Sequence, residues 1–364
     1  MTEKIAIIQP GLMTSAYKTA LALAKKTKVV CLIGRNKPFP GFVNSKSLKI
    51  YEMWDWLLPD PINATIVPGI FCSTYRVLRK EKPTIWLVYK HMFLTSLAAP
   101  FLKLFGQKVI VVTDTFPGHI WWTRSRFVNL AMWLYARTLG KLVLASADKV
   151  VILYEGLEET AKKLGLDYTV IHNGVDLALY DNAKPAPDLS TQGNTIITYI
   201  GRLHKVKGYD DFIAVAHELA KKRKDIEFWI VGNNEDQHES TNSIKFLGYR
   251  NDIPCILKHT DIYVLPSYAE GLPNTLMEAM ACGKACIASA VGGVKYLIQD
   301  GKNGLLITPG NRKQLQDTIK KILAQPELRE RLGHAARDTI RDQYDWNTLA
   351  KEWMDLIKSI CEKK

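Results

Sequence analysis

The sequence predicts an α/β protein built from two doubly wound, Rossmann-like domains. Its 364 residues are 47% hydrophobic and 23% charged, which is typical of a globular protein large enough for two domains. Short apolar runs alternate with helical stretches, the pattern of parallel strands covered by helices. This alternation stops at residues 181–193 and then starts again. We therefore expect an interdomain linker there.

Residues 1–180 are predicted to form the first domain. Continuous runs of Val, Ile and Leu place strands at 5–9, 29–33, 65–67, 84–88, 108–112, 149–153 and 169–172. Helical stretches lie at 14–26, 92–105, 126–146 and 156–164. The loop after the first strand lacks G-x-G-x-x-G, and the chain has no G-x4-G-K-[ST] motif. A dinucleotide fingerprint and a P-loop are therefore not expected.

Residues 194–345 are predicted to form the second domain. Its strands are expected at 195–200, 227–231, 243–246, 261–265, 285–288 and 305–307. The last helical segment, 346–360, carries an apolar stripe at helical spacing that must pack on another surface. The stripe consists of Trp346, Leu349, Trp353 and Leu356.

The positive charge is concentrated in the first half of the chain. Residues 1–180 hold 23 Lys and Arg against 12 Asp and Glu, whereas residues 181–364 hold 26 against 24. A basic surface suits nucleic acid, an anionic membrane or an acidic substrate. The sequence lacks zinc-finger, helix-turn-helix and RNA-binding signatures, so a nucleic-acid partner is not expected.

Aromatic and basic residues occur together at residues 120–126 and in the helix that follows, and residues 53–58 form a second aromatic patch. This mixture suits a membrane interface, and the alternative is that these aromatics belong to the core. No apolar run reaches the roughly 18–20 residues of a membrane span, and the N-terminus has no signal-peptide core. We therefore predict a cytoplasmic protein, with peripheral contact to an anionic membrane as an option.

The predicted chemistry centres on residues 266–283. Glu270 and Glu278 are eight residues apart, and a strand leads directly into their loop. Pro273 is predicted to be the first residue of a helix that ends near Gly283. Free N–H groups in the first turn of that helix make an anion site between the two carboxylates. This arrangement suits a phosphate-bearing ligand, and the alternative is an ordinary strand–helix turn with two exposed glutamates.

Two further loops are expected at the same edge of the second sheet. The first is residues 201–208, in which Arg202 and Lys207 together suit a diphosphate. In the second, Gly232 ends the next strand, and Tyr249 or Arg250 is a candidate for lining a base pocket. Alone, each loop is weak evidence for a ligand site, because basic loops are usually solvated and glycine is common at strand ends.

These segments together resemble the donor-binding domain of the family-4 glycosyltransferases, of the glycosyltransferase group 1 type. The matching sequences are GRLHKVKG at 201–208, VGNNED at 231–236, FLGYRNDI at 246–253, residues 261–289, VGG at 291–293 and DGKNGLLITPGN at 300–311. The resemblance covers nearly all of residues 145–345. It implies the GT-B fold, with two domains facing each other across a cleft and residues 346–364 crossing back to the first domain.

The resemblance also implies roles for individual residues. Arg202 and Lys207 would hold the donor diphosphate, Glu278 the ribose hydroxyls and Glu270 the transferred sugar. The remaining donor-binding residues would be Gly201, Gly232, Tyr249, Arg250, Gly271, Leu272, Asn274 and Thr275. The chain contains no Asp-x-Asp, in keeping with a family that works without a divalent metal, so neither a metal nor a cofactor is expected.

The first domain departs from the family pattern at two places. Many relatives have a His after the strand that faces the donor sugar, where this chain has Asp114, with His119 five residues later. We favour Asp114 as the residue that contacts the sugar. The usual glycine pair after the first strand is a single Gly11, which leaves its role on the acceptor side open.

The predicted function is a retaining transfer of a hexosyl unit from a GDP- or UDP-linked sugar to a hydroxyl. The acceptor is expected to be lipid-linked or membrane-associated, as in glycan or glycolipid synthesis. Two alternatives remain at this point. One is a GT-B sugar-nucleotide epimerase or a transferase with a soluble acceptor, and the other is a non-catalytic subunit that binds nucleotide sugars.

Overall fold

The computed structural model describes residues 3–9, 14–34, 44–54, 56–57, 65–91, 93–116, 126–191, 193–233 and 240–362. The chain forms two compact units. The first unit comprises Met1–Asn173 with Trp346–Lys364, and the second comprises Gly174–Asp345. Residues 181–193, predicted as a linker, lie within the second unit. There Ala186 is buried, and its carbonyl oxygen lies 3.0 Å from the His259 Nε2 atom.

The first unit contains a parallel sheet that, in the described part of the chain, has seven strands. Their order is β3-β2-β1-β6-β7-β8-β9. The strands are β1 (Lys4–Ile8), β2 (Lys28–Gly34), β3 (Leu48–Met53), β6 (Ile85–Tyr89), β7 (Val109–Thr113), β8 (Lys149–Ile152) and β9 (Tyr168–Val170). A separate antiparallel pair consists of β4 (Trp56–Leu57) and β5 (Thr65–Ile66). The sheet extends from β1 in both directions, with β2 and β3 on one side and β6 to β9 on the other. This strand order confirms the doubly wound prediction.

Helices cover both faces of this sheet. They are α1 (Thr14–Ala24), α2 (Ile70–Glu81), α3 (Ala98–Leu104), α4 (Arg126–Arg137), α5 (Leu139–Ala145), α6 (Glu158–Lys163) and the C-terminal helix α14 (Trp346–Glu362). The Trp346, Leu349 and Trp353 side chains of α14 are buried in one core cluster with α1 and the central strands. The apolar stripe of the last helix is thus packed into the first unit. In the described part of the chain, no helix is both long and apolar enough to cross a membrane.

The described residues of the second unit form a parallel sheet of six strands in the order β12-β11-β10-β13-β14-β15. Its strands are β10 (Thr195–Ile200), β11 (Ile226–Val231), β12 (Ile244–Gly248), β13 (Ile262–Leu265), β14 (Ala285–Ser289) and β15 (Leu305–Ile307). Its helices are α7 (Leu177–Asp181), α8 (Tyr209–Lys222), α9 (Ile253–His259), α10 (Asn274–Ala281), α11 (Val294–Leu297), α12 (Arg312–Ala324) and α13 (Pro326–Gln343). The winding reverses between β10 and β13, and a ligand site is expected at their carboxyl ends.

Several elements of the first unit differ from the sequence prediction. The segment 92–105 is helical only from Ala98, after a 3-10 turn (Leu94–Leu97), because Pro100 is tolerated in the first turn of a helix and not deeper. The segment 126–146 is two helices, because Thr138 has a non-helical backbone with φ −114° and ψ −91°. Helix α2 was not predicted, since polar Thr74 and Glu81 occupy two of its core-facing positions.

Glu81 is the centre of a buried charged cluster in the first unit. Its side chain is 7% exposed and accepts hydrogen bonds from Lys4, Lys49 and Tyr51. Burial alone would raise the pKa of Glu81, but these hydrogen bonds outweigh burial and lower the pKa to about 2. The cluster ties α2 to the strands β1 and β3.

We expect Glu81→Gln to destabilise the first unit at pH 7 by about 2–3 kcal/mol. The pKa of this carboxyl is lower in the folded state than its ordinary value of 4.5. Its contribution to stability is therefore complete above pH 4.5 and is lost as the pH falls through about 2. Urea unfolding, followed by hydrogen exchange in β1–β3, should show the variant and the wild type converging at low pH. A stability difference that does not change with pH would contradict this account.

Candidate functional site

The loop after β10 is shaped by a contact that only glycine allows. His204 Nδ1 accepts a hydrogen bond from the Val206 N–H at 3.2 Å and so starts a 3-10 turn over Lys205–Lys207. The turn ends at Gly208, which has φ +68°, and a Cβ there would lie 2.0 Å from the Pro266 carbonyl oxygen. The loops after β10 and β13 are therefore packed backbone to backbone at the reversal point of the sheet.

This packing brings Lys207 and Glu270 together. Lys207 Nζ lies 2.8 Å from both carboxylate oxygens of Glu270, and Ser267 Oγ donates to Glu270 Oε1 at 2.7 Å. The Glu270 side chain is 6% exposed and the Lys207 side chain 23% exposed. The carboxylate is thus buried and held from two sides, while the ammonium keeps an exposed edge.

A second glycine contact holds the Glu270 loop from the other side. Gly292 has φ +48°, and a Cβ there would lie 1.8 Å from the Glu270 carbonyl oxygen. The Gly293 N–H donates to the Gly271 carbonyl oxygen at 2.9 Å. The family resemblance includes residues 291–293 but does not predict this supporting role. Gly292 and Gly293 themselves indicate it, because two adjacent glycines after a strand allow another backbone to approach closely.

Helix α10 begins directly after this loop. Pro273 is its N-cap residue rather than its first helical residue, and the helix starts at Asn274. Thr275 Oγ1 accepts a hydrogen bond from the buried Tyr263 hydroxyl at 2.8 Å, which fixes the first turn against β13. The first backbone N–H groups of an α-helix have no partner within the helix, so this end offers donors and a positive dipole to an anion. Leu272, just before the helix, is buried.

Glu278 lies one turn further along α10 and is 7% exposed. Its neighbour is Tyr180, a buried residue of α7. Burial raises the pKa of the Tyr180 hydroxyl, and the charge of Glu278 and a hydrogen bond to it raise this pKa further. The sequence does not predict this role of Tyr180, because the predicted domain boundary at residue 180 separates Tyr180 from the helix that it contacts.

The ends of β10, β11 and β12 are also in backbone contact. The Gly201 N–H donates to the Val231 carbonyl oxygen, and the Gly232 N–H donates to the Gly248 carbonyl oxygen, both at 2.9 Å. A Cβ at Gly232 would lie 2.1 Å from the Gly201 carbonyl oxygen. These glycines therefore form a surface of bare backbone beside the exposed Arg202.

Tyr249 and Arg250 lie at the end of β12. Tyr249 is 64% exposed. The Arg250 guanidinium binds two carboxylates, with N···O distances of 2.6 and 3.0 Å to Asp188 and 2.8 and 2.6 Å to Asp252. This fork ties the segment 181–193 to the start of α9 and gives Arg250 a structural role that requires no ligand.

In the first unit, Asp114 follows β7 at the carboxyl edge of the sheet. Its Oδ2 atom accepts a hydrogen bond from Lys90 Nζ, and both side chains are mostly buried. Lys90 follows β6 and has φ +63°, a left-handed conformation that is uncommon for lysine. No local sequence pattern indicates Lys90, because neither its backbone conformation nor its partner can be read from neighbouring residues. Gly11 and His119 lie outside the described residues.

The site can thus supply two kinds of chemistry at one sheet edge. Lys207, Arg202 and the start of α10 offer positive charge and N–H donors, which suit phosphate. Glu270 and Glu278 offer carboxylates on either side of that helix start, and carboxylates accept hydrogen bonds from sugar hydroxyls. All of these residues belong to the second unit.

The chain is similar to known glycosyltransferases. The family described as "Glycosyl transferases group 1" matches residues 182–339. A glycosyltransferase of Haemophilus influenzae is 30% identical over 357 residues, covering 94% of each chain. One of Methanocaldococcus jannaschii is 28% identical over 254 residues, which cover 65% of this chain and 64% of that protein.

A third relative is an N,N'-diacetylbacillosaminyl-diphospho-undecaprenol α-1,3-N-acetylgalactosaminyltransferase of Campylobacter jejuni. It is 34% identical over 184 residues, which cover 48% of this chain and 47% of that protein.

Two solved structures are similar over nearly the whole chain. Anabaena HepE in complex with UDP and glucose has a TM-score of 0.77 at 18% identity, covering 99% of this chain and all of HepE. Sucrose-phosphate synthase from Thermosynechococcus elongatus has a TM-score of 0.76 at 19% identity, covering 98% and 99% of the two chains. The chain therefore has the GT-B fold and belongs to the group 1 glycosyltransferases.

Proposed function

We propose that this glycosyltransferase moves a hexosyl unit from a UDP- or GDP-linked sugar to a hydroxyl of a lipid-linked or membrane-associated acceptor, with retention at the anomeric carbon. The observation that carries the proposal is the Lys207–Glu270 pair beside the start of α10. It sets a cation, a carboxylate and a helix N-terminus at the reversal point of one sheet. Diphosphate and sugar are the two ligand parts that such a combination recognises.

The diphosphate binds to Lys207, Arg202 and the first turn of α10. An ammonium has three donors, so Lys207 can keep Glu270 in place and still donate to a phosphate oxygen. The backbone amides around Gly271, Leu272, Asn274 and Thr275 supply further donors. Because these groups are fixed before the donor arrives, they stabilise the charge that develops on the leaving phosphate.

The two carboxylates bind the two sugars of the donor. Glu270 accepts from hydroxyls of the transferred hexose, since it lies next to the diphosphate site. Glu278 accepts from the ribose hydroxyls, with Tyr180 holding its carboxylate on the other side. Gly201 and Gly232 let the nucleotide approach the backbone closely, and Tyr249 lies at the base end. We assign Arg250 a supporting role there because its guanidinium already binds two carboxylates.

The transfer needs no covalent intermediate with the protein. The bond between the anomeric carbon and the phosphate oxygen breaks, and the bond to the acceptor oxygen forms on the same face. The acceptor proton passes to the leaving phosphate, which Lys207 and Arg202 hold near that face. In the first unit, Asp114, oriented by Lys90, is the candidate for a hydrogen bond to a sugar hydroxyl. Gly11 and His119 are the remaining candidates on the acceptor side.

The proposed acceptor is supported by one relative and by charge. The Campylobacter jejuni relative is named for an acceptor that is a diphospho-undecaprenol-linked sugar. The first half of this chain carries a net charge of +11 (23 Lys and Arg against 12 Asp and Glu), which favours contact with an anionic membrane. We therefore propose a peripheral protein on the cytoplasmic face of a membrane.

The proposal is tested by substituting the donor site. We expect Lys207→Met and Glu278→Gln each to lower the release of UDP or GDP from sugar donors by at least about 100-fold, because each removes a fixed contact to the donor. Lys205→Met is the matched control, since Lys205 is exposed in the same 3-10 turn. Thermal unfolding should confirm that all three variants are folded. Full activity of folded Lys207→Met and Glu278→Gln would refute the proposal.

A second test concerns metal ions. Lys207, Arg202 and the start of α10 supply the positive charge that a divalent metal supplies in other transferases. We therefore expect treatment with EDTA to leave the rate of nucleotide release unchanged. Loss of activity with EDTA and its recovery with Mg²⁺ or Mn²⁺ would show that the fixed cations are not sufficient.

A further inference from the structure

Exposed apolar side chains are distributed very unevenly between the two units. Among the described residues, thirteen exposed large apolar side chains belong to the first unit and three to the second. Ten of the thirteen lie on helices α2–α5 or directly beside α3. They are Phe71, Tyr75, Leu94, Leu104, Phe105, Leu130, Trp133, Leu134, Leu139 and Leu142. Single exposed apolar residues are ordinary, but such a concentration marks an interaction surface.

The helices that carry these residues pack against one another in sequence. Helix α2 packs on α3, α3 packs on α5, and α5 packs on α4. Ring contacts join α2 to α3, with centroids 5.1 Å apart for Phe71 and Phe101 and 5.6 Å apart for Tyr75 and Phe105. We call the surface of α2–α5 with Leu94 and Phe105 the helical face.

The charge of the helical face is positive. Its described, exposed charged side chains on α2–α5 are all basic: Arg76, Arg79, Lys80, Arg137 and Lys141. The acidic residue of α2, Glu81, is buried with Lys4 and Lys49. The Arg137 guanidinium stacks over the Trp133 ring at 4.2 Å, so aromatic and basic groups are interleaved.

We propose that the helical face binds the surface of an anionic lipid bilayer, with the side chains of α4 and α5 at the level of the head groups. Leu130, Trp133, Leu134 and Leu142 enter the boundary between head groups and acyl chains, and Arg137 and Lys141 contact lipid phosphates. Tryptophan, leucine and basic residues on short helices are the composition of interfacial membrane binding. The inference extends the membrane-associated acceptor proposed above, but lipid binding is measured without any transfer reaction.

Charge favours a bilayer over a second copy of the chain. In a two-fold dimer through this face, the five exposed basic residues of one copy would lie against the same five of the other. No exposed acidic side chain of the described part of α2–α5 is present to compensate them. An anionic lipid surface supplies that compensation.

The test is sedimentation of the full chain with vesicles. We expect binding to vesicles that contain phosphatidylglycerol, weak binding to phosphatidylcholine alone, and loss of binding in high salt. Leu142→Glu should weaken binding at least about tenfold, and Lys141→Gln roughly fivefold. The matched controls, Leu179→Glu and Lys222→Gln, change exposed residues of the second unit and should bind as the wild type does.

Three outcomes would overturn the inference. They are absence of binding to phosphatidylglycerol vesicles, equal weakening by the control variants, and a stable dimer that Leu142→Glu converts to a monomer. Thermal unfolding of each variant excludes misfolding as the cause. Nucleotide release from soluble donors is measured in parallel. If nucleotide release persists while vesicle binding fails, the inference that the helical face binds lipid is refuted, but the proposed transferase activity is not.

Discussion

The second unit depends on close backbone contact between loops at the carboxyl edge of its sheet. Gly208 against Pro266 and Gly292 against Glu270 are approaches that leave no room for a Cβ. Both glycines have positive φ, so any other residue would also be strained there. These contacts set the distance between the loops that carry Lys207 and Glu270. The ion pair is therefore a consequence of backbone geometry and not of a flexible side-chain encounter.

This geometry lets one lysine both neutralise a buried carboxylate and keep an exposed edge. A buried carboxylate needs a partner, and Lys207 and Ser267 provide it for Glu270. The Lys207 side chain also keeps an exposed edge, and the positive end of the α10 dipole suits an anion. Glu278, one turn along α10, is also a buried carboxylate with a side-chain partner, which is the buried Tyr180 rather than a lysine. Both carboxylates are therefore held in place by protein side chains alone.

Much of the fold was predictable because buried parallel strands appear as continuous apolar runs. Helix α2 could not be predicted, because the polar side chains of Thr74 and Glu81 interrupt its apolar pattern. At the candidate site, loop chemistry and a family motif predict Lys207 and Glu270 as individual residues. Their contact is not predicted, because it joins residues 63 positions apart. The contacts of Lys90 with Asp114 and of Arg250 with Asp188 are not predicted for the same reason: a partner distant in sequence leaves no local pattern.

The central claim is that Lys207 and the start of α10 recognise a diphosphate. Calorimetric titration with UDP, GDP and the corresponding monophosphates tests it directly, without knowledge of the sugar or the acceptor. We predict that one diphosphate binds about tenfold more tightly than its monophosphate, and that Lys207→Met removes most of that difference. Equal affinity for diphosphate and monophosphate, or an unchanged preference in Lys207→Met, would contradict the account.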